Sequence, residues 1–265
     1  MASKIQCSPG AGWRFIAFLF FSGLVAATAA QSTNNPVFAA RAGAEFHRAQ
    51  IQLQSNTNDS AVAWHFARAC YDFAVFATND AERATIAVQG IAAGRQLLAH
   101  EPKSAPGHYY LGMNLGQLAR TEILAALKLV KEMEREFKTA DDLDENFDYA
   151  GPARCLGLLY RDAPGWPASI GNRHKAREWL ERAAKLAPDY PENHLNLIES
   201  RLKWNDRASA GRELKTLDAL WPKAQTNFVG VAWEQSWANW TARKSAAEQS
   251  LSQASQPAES PKARH

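Results

Sequence analysis

From Pro36 to Ala242 the apolar residues recur three and four positions apart and almost never two, and no β-branched run is bounded by turn residues. A chain patterned this way buries its apolar side chains only as helices packed on helices, so a sheet is excluded first. The stretch from Thr121 to Asp141 shows the pattern most plainly. Ile123, Leu124, Leu127, Val130, Met133, Phe137 and Ala140 fall on one face, and Lys128, Lys131, Glu132, Glu134, Arg135 and Lys138 on the other. Glu134 and Lys138 make a favourable i,i+4 pair, and the alternating signs describe a solvated face rather than a binding patch.

The helical stretches are closed at regular points: His100-Glu101-Pro102, Leu143-Asp144-Glu145, Ala187-Pro188-Asp189 and Trp221-Pro222-Lys223. Positions 102, 145, 188 and 222 stand 43, 43 and 34 residues apart, and the last spacing is the tetratricopeptide period. Phe66, Leu111, Leu156 and Leu197 anchor the first helices of four pairs, with Leu111-Gly112, Leu156-Gly157 and Tyr160 in first-helix positions. Ala176-x3-Leu180 and Ala210-x3-Leu214 occupy second-helix positions. Small residues there let paired helices approach, and large ones fill the space between neighbouring pairs. The expected fold is therefore all-α, a tetratricopeptide-like α-solenoid of stacked helix pairs over residues 59–242. Residues 31–58 form an N-terminal segment with a capping helix. In the third repeat Ala163-Pro-Gly-Trp-Pro-Ala-Ser-Ile-Gly-Asn172 is an insertion whose prolines and glycines cannot continue a helix. Trp233, Trp237 and Trp240, four and three apart, belong to a last helix that covers the open end of the stack. Residues 243–265, rich in Ser, Gln, Ala and Pro, read as a disordered tail.

Residues 1–30 read as a cleaved export signal. Lys4 and Arg14 precede an uncharged run from Phe15, and Ala27-Thr28-Ala29 fits the small-x-small cleavage pattern. As a helix, Phe15 to Ala30 spans roughly 24 Å, short of the hydrocarbon core. No Cys stands at the end of the apolar run. The expected location is therefore periplasmic or otherwise extracytoplasmic, without a lipid anchor. Removing the signal leaves 28 basic against 27 acidic residues, a balance that offers nucleic acid no attraction. Two thiols remain, Cys70 and Cys155, too few for a disulfide framework. Both sit in helical patterns as small hydrophobes, and one bridge between them stays open in an exported protein.

No chemistry is written into the motifs. There is no HExxH, no Cys-x2-Cys, no GxSxG and no Gly-rich phosphate loop. His47, His65, His100, His108, His174, His194 and His265 stand singly, as satisfied or exposed residues do. Asp141, Asp142, Asp144, Glu145 and Asp148 lack the loop Gly and distal Glu of a calcium site. The reading is non-enzymatic, with no cofactor and no metal.

The segment Gly151-Pro-Ala-Arg-Cys-Leu-Gly-Leu-Leu-Tyr160, followed by Ala163-Pro-Gly-Trp-Pro-Ala-Ser-Ile-Gly-Asn172 and by Lys175-Ala176 and Ala183-x4-Pro188-Asp189, resembles the TRAP-transporter T-component family of exported tetratricopeptide-like proteins. The resemblance runs over about Ser60 to Pro222. It implies association with the extracytoplasmic solute-binding protein of a TRAP transporter, and a hydrophobic small ligand carried through a pore between subunits of a homo-oligomer. The alternative is a generic exported tetratricopeptide scaffold for protein–protein interaction.

In stacked pairs the first helices line the concave surface, so side chains opposite their anchors face a ligand or partner. Counting two residues either side of the anchors gives Tyr109 and Met113, Arg154 and Leu158, and Leu195 and Glu199, flanked by Tyr110, Asn114 and Asn196. This mixture suits a partly hydrophobic small molecule or a peptide. Arg154 offers a planar fork to a carboxylate, or else pairs with a neighbouring acid. Trp166 in the inserted loop is the other candidate contact. The export reading predicts that the mature chain begins at Ala30 or Gln31, and intact-mass measurement on protein from the source cell decides it; a chain starting at Met1 removes the compartment assignment.

Overall fold

A computed structural model describes residues 35–57, 59–121 and 126–253. The signal expected over 1–30, Ile123 and Leu124 of the Thr121–Asp141 stripe, and the last residues of the expected tail lie outside them. The described residues form α1 (Pro36–Ser55), α2 (Ser60–Ala74), α3 (Asp80–His100), α4 (Ala105–Ala119), α5 (Ala126–Leu143), α6 (Phe147–Asp162), α7 (Arg173–Leu186), α8 (Pro191–Lys203), α9 (Arg207–Asn227) and, after a 3-10 turn at Val231–Trp233, α10 (Glu234–Gln253). Among these residues there is no strand, only an isolated bridge between Gly165 and Gly171.

Short polar side chains fix where the helices start. Asp59 accepts from the amides of Ala61 and Val62, Ser104 from Gly107, Asn172 from Lys175 and Asp206 from Ser209. Each satisfies a first-turn N–H that has no partner within the helix. Pro36, Pro106 and Pro191 sit in first turns, where the missing donor costs nothing.

The helices pack as α2/α3, α4/α5, α6/α7 and α8/α9, with α1 laid on α2 and α10 on α8. The first helices α2, α4, α6 and α8 also touch in succession, and so line one continuous face. All four expected anchors are buried: Phe66 at 4%, Leu111 at 3%, Leu156 at 0% and Leu197 at 2% exposure, which fixes the repeat register. The small-residue reading holds within the pairs. A Cβ on Gly112 would lie 2.6 Å from the Phe137 ring of α5, and one on Gly157 would lie 2.5 Å from Cγ of Leu180 in α7. Ala176 and Leu180 are themselves fully buried.

Three boundaries differ from the sequence expectation. Pro222 does not close a helix; α9 runs through it to Asn227. Leu217 and Ala224 on either side are fully buried and Trp221 packs against the same cluster, so burial outweighs the roughly 3 kcal/mol that an interior proline costs. The chain also continues as helix beyond residue 243, where a disordered tail was expected, because Arg243 and Ala247 are buried against α8 and α9 neighbours. Trp233 belongs to the 3-10 turn rather than to the last helix. With Trp237 and Trp240 it nonetheless closes the end of the stack: Trp240 is 1% exposed, edge-on to Tyr190 and Phe228, and Trp237 stands edge-on to Trp221.

Leu156→Ala removes a fully buried side chain and is expected to cost about 2 to 5 kcal/mol, and Gly157→Ala about 1 to 3 kcal/mol by forcing α6 and α7 apart. Gly211→Ala, where an added Cβ meets nothing within 4 Å, should stabilise by up to about 1 kcal/mol through helix propensity. Urea unfolding of the three variants checks the register; near-zero effects for the first two would place the repeat boundaries elsewhere.

Candidate functional site

The face lined by α2, α4, α6 and α8 contains the residues singled out from sequence, but most of them are turned inward. Tyr109, Tyr110, Asn114, Arg154, Leu195 and Asn196 are buried, while Met113, Leu158 and Glu199 are only partly covered. The count of two from each anchor takes a helix as open on its whole far side. Each first helix instead has a neighbour on both flanks, leaving a narrow strip. Asn114 donates to the carbonyls of Ala67 and Tyr110, tying α4 to α2. Trp166 alone of the candidates is fully out in solvent, at 89% exposure.

Arg154 does the structural job that was the alternative to ligand binding. Asp148, Tyr149 and Ala150 have φ of 50°, 56° and 61°, three consecutive non-glycine residues in the left-handed region. Each such residue costs on the order of 1 to 2 kcal/mol, so the turn exists only where its surroundings hold it. Arg154 donates to the carbonyls of Asp148 and Tyr149 and, at 2.8 Å, to Oδ2 of Asp148. Tyr109 of α4 donates to the same Oδ2 at 2.7 Å, and Asn193 of α8 donates to the Tyr149 carbonyl while accepting from Arg154 at 3.1 Å. The Tyr149 ring stacks on Tyr190 at 4.5 Å, and the guanidinium lies 5.3 Å from the centre of the same Tyr190 ring. Gly151 is needed because a Cβ there would stand 2.8 Å from Oη of Tyr109. The Gly-Pro-x-Arg segment thus binds three helix pairs together.

A second buried network joins α8 to α10. Arg243 donates to Glu192 and Glu199 at 2.6 Å and to Asn196 at 2.6 Å, and the Trp240 indole N–H donates to Glu192. Burial alone would raise Glu192, but Arg243 and Arg154 outweigh it and hold the carboxyl below its ordinary value.

What remains open on this face is a strip that runs across the pairs. Arg68 and Asp72 of α2 are about half exposed and paired at 3.5 Å; Tyr71, Met113, Cys155 and Glu192 are partly open. Desolvation by the surrounding helices pushes Asp72 up to about 6, against the pull of Arg68, and Asp148 of α6 and Glu45 of α1 add to the rise. Desolvation holds Tyr71 above its ordinary value, and the nearby Cys155, Asp72 and Glu192 add to the rise. The same count from Phe66 that gave the other candidates points at Arg68; Tyr71, Asp72 and Glu192 carried no separate signal.

Burial pushes Cys155 up to about 11 and Cys70 up to about 12, which disfavours the thiolate, and both are free. Among the described residues no cluster of three or more His, Cys, Asp or Glu is arranged to hold a metal ion. The acidic turn Asp141–Asn146 borders an open cavity with Arg182, which bridges Asp141 and Glu145. No described helix is long and apolar enough to cross a membrane.

No protein-family model matches the chain, and no curated protein matches it. Among solved structures the chain is similar to a thermophilic TPR protein of Thermus thermophilus, at 19% identity and a TM-score of 0.55, over 85% of this chain and 99% of that one. Yeast Tom70 also matches, at 12% identity and a TM-score of 0.32, over 89% of this chain and 66% of that one. With the register of four helix pairs, the first of these likenesses defines the fold as a tetratricopeptide-like α-solenoid.

Two histidines carry the same device at the same repeat position. His108 and His194, each three residues before its anchor, place Nε2 on the carbonyls of Pro102 and Pro188 and Nδ1 on Glu136 and Glu213. Both ring nitrogens face acceptors, so the imidazolium form satisfies both. The hydrogen bond to Glu136 raises His108 above its ordinary 6.5; burial works to raise Glu136, but His108 and Arg135 hold it below its ordinary 4.5. The His108 contribution to stability is therefore complete below about pH 6.5 and is lost as pH rises through the raised folded value, while that of Glu136 is present above about pH 4.5 and lost as pH falls through its lowered value. His108→Gln should cost about 1.5 to 3 kcal/mol at pH 6 and much less at pH 9 by chemical denaturation. A cost equal at both pH values would show that the ring is held neutral.

Proposed function

We propose that this protein is a non-catalytic scaffold whose first-helix face receives a segment of a partner protein. The observation that carries this reading is the construction of the face itself. Three first helices, α4, α6 and α8, are cross-tied by a buried polar network through Tyr109, Arg154 and Asn193, Asn114 ties α4 to α2, and an open strip of Arg68, Tyr71, Asp72, Met113 and Cys155 is left on the surface they build. A solenoid needs only such a preformed surface to bind a partner, whereas catalysis needs convergent reactive groups. Burial disfavours the thiolate at Cys70 and Cys155, and the carboxylates of Glu192 and Glu199 are tied to Arg243.

The finer proposal, supported by the resemblance of residues 151–172 to the TRAP T-component family, is an exported protein. Its partner there is the solute-binding protein of a TRAP transporter, with a hydrophobic small molecule and a homo-oligomeric pore as the further elements of that reading. Native mass spectrometry of complexes purified gently from the source cell reports partner, ligand and stoichiometry together. Arg68→Ala and Asp72→Ala remove half-exposed side chains of the strip, so each should leave circular dichroism helical yet weaken partner capture about tenfold. Undiminished capture by both would move the contact away from this face, and a captured protein other than a solute-binding protein would leave the scaffold reading without the transporter.

A further inference from the structure

In a stack of antiparallel helix pairs, every turn within a pair falls on one edge and every turn between pairs on the other. In the third and fourth pairs the within-pair edge is basic. Arg173, His174 and Lys175 occupy the first turn of α7, Lys203 ends α8 and Arg207 begins α9. The acids among them are already engaged: Asp162 with both Arg161 and Lys203, Glu178 with His174, and Asp206 with the Ser209 amide that it caps. Arg173 and Lys175 oppose the dipole of the helix they begin; Arg173 lies 5.3 Å from the centre of the Trp204 ring and Lys175 5.2 Å from that of Tyr160, contacts that hold both cations at this edge.

The inserted loop Ala163–Asn172 rises from this edge, and it is tightly built. The Gly171 amide donates to Pro164 at 2.8 Å, the amides of Ala168 and Ser169 to Gly165, and that of Asn172 to Tyr160 at 2.9 Å. A Cβ on Gly171 would lie 2.0 Å from the Ala163 carbonyl, so the loop closes only with glycine there. Ile170 turns inward against the core, while Trp166 at the other end of the same loop is 89% exposed. The hydrogen-bonded frame holds the indole out in solvent beside the cations of this edge.

We propose that this edge docks on an anionic lipid surface, with the Trp166 indole entering the interfacial layer and Arg173, Lys175 and their neighbours lying over the headgroups. The composition of the edge favours a bilayer over a protein. A protein interface has a core of several apolar side chains, and between residues 161 and 178 Trp166 is the sole large exposed one among the described residues. A single amphipathic indole ringed by cations is instead what the membrane interface accepts, each cation near the surface adding attraction. The contact leaves the first-helix face free.

Co-sedimentation of the full chain with phosphatidylcholine vesicles, with and without phosphatidylglycerol and at low and high salt, tests this. Phosphatidylglycerol should raise binding about tenfold or more, and high salt should remove that gain. Trp166→Ala should lower the phosphatidylglycerol-dependent part about tenfold. Arg173→Glu with Lys175→Glu should abolish it while circular dichroism stays helical, since acids suit a helix N-terminus. Binding equal with and without phosphatidylglycerol, a gain undiminished in Trp166→Ala, or capture of an acidic protein with no vesicle binding would each overturn the proposal.

Discussion

A helix pair has an apolar flank that it cannot cover alone, and the rest of this molecule follows from how closely the two helices of a pair meet. At Gly112 against Phe137 and Gly157 against Leu180 the approach leaves no room for a methyl group. That closeness fixes the rotation of each second helix about its partner, and with it the surface offered to the next pair. The ends obey the same constraint: α1 covers the first pair, and the tryptophans of the last turn and helix cover the fourth.

The pair architecture was legible because it depends on residue type at fixed spacing. Phe66, Leu111, Leu156 and Leu197 are anchors in the sequence and in the fold. Boundaries were legible at the periodic closing points 100–102, 143–145 and 187–189, where helices do end, whereas Pro222 looked like a terminator and is carried through by the buried Leu217 and Ala224. The α10 extension past residue 243 was hidden because its anchoring rests on a charged residue, Arg243, whose burial depends on two glutamates about fifty positions away.

The site was less legible than the fold. A helical count says which side of α4 or α6 is opposite its anchor, but not how much of that side the neighbouring first helices cover. Arg154 shows the difference. Pairing with a neighbouring acid was one of its two readings, and Asp148 is that acid, but the turn it holds was hidden, because the left-handed residues Asp148–Ala150 include no glycine to announce it. The turn is stabilised by groups from α4 and α8 that lie about forty residues to either side. The histidines differ again: each stands alone in sequence, yet the fold gives each a proline carbonyl and a glutamate, Pro102 and Glu136 for His108, Pro188 and Glu213 for His194.

A repeat array is ordinarily a chain of joints, each free to bend a little and to open by itself. The Arg154 turn takes two of those joints away. Its guanidinium holds its own backbone, shares an aspartate with the phenol of the preceding pair and meets the amide of the following one, so the second, third and fourth pairs cannot shift separately without breaking the same set of bonds. Bending at either joint strains the same set of bonds, so the second, third and fourth pairs answer a load as one unit.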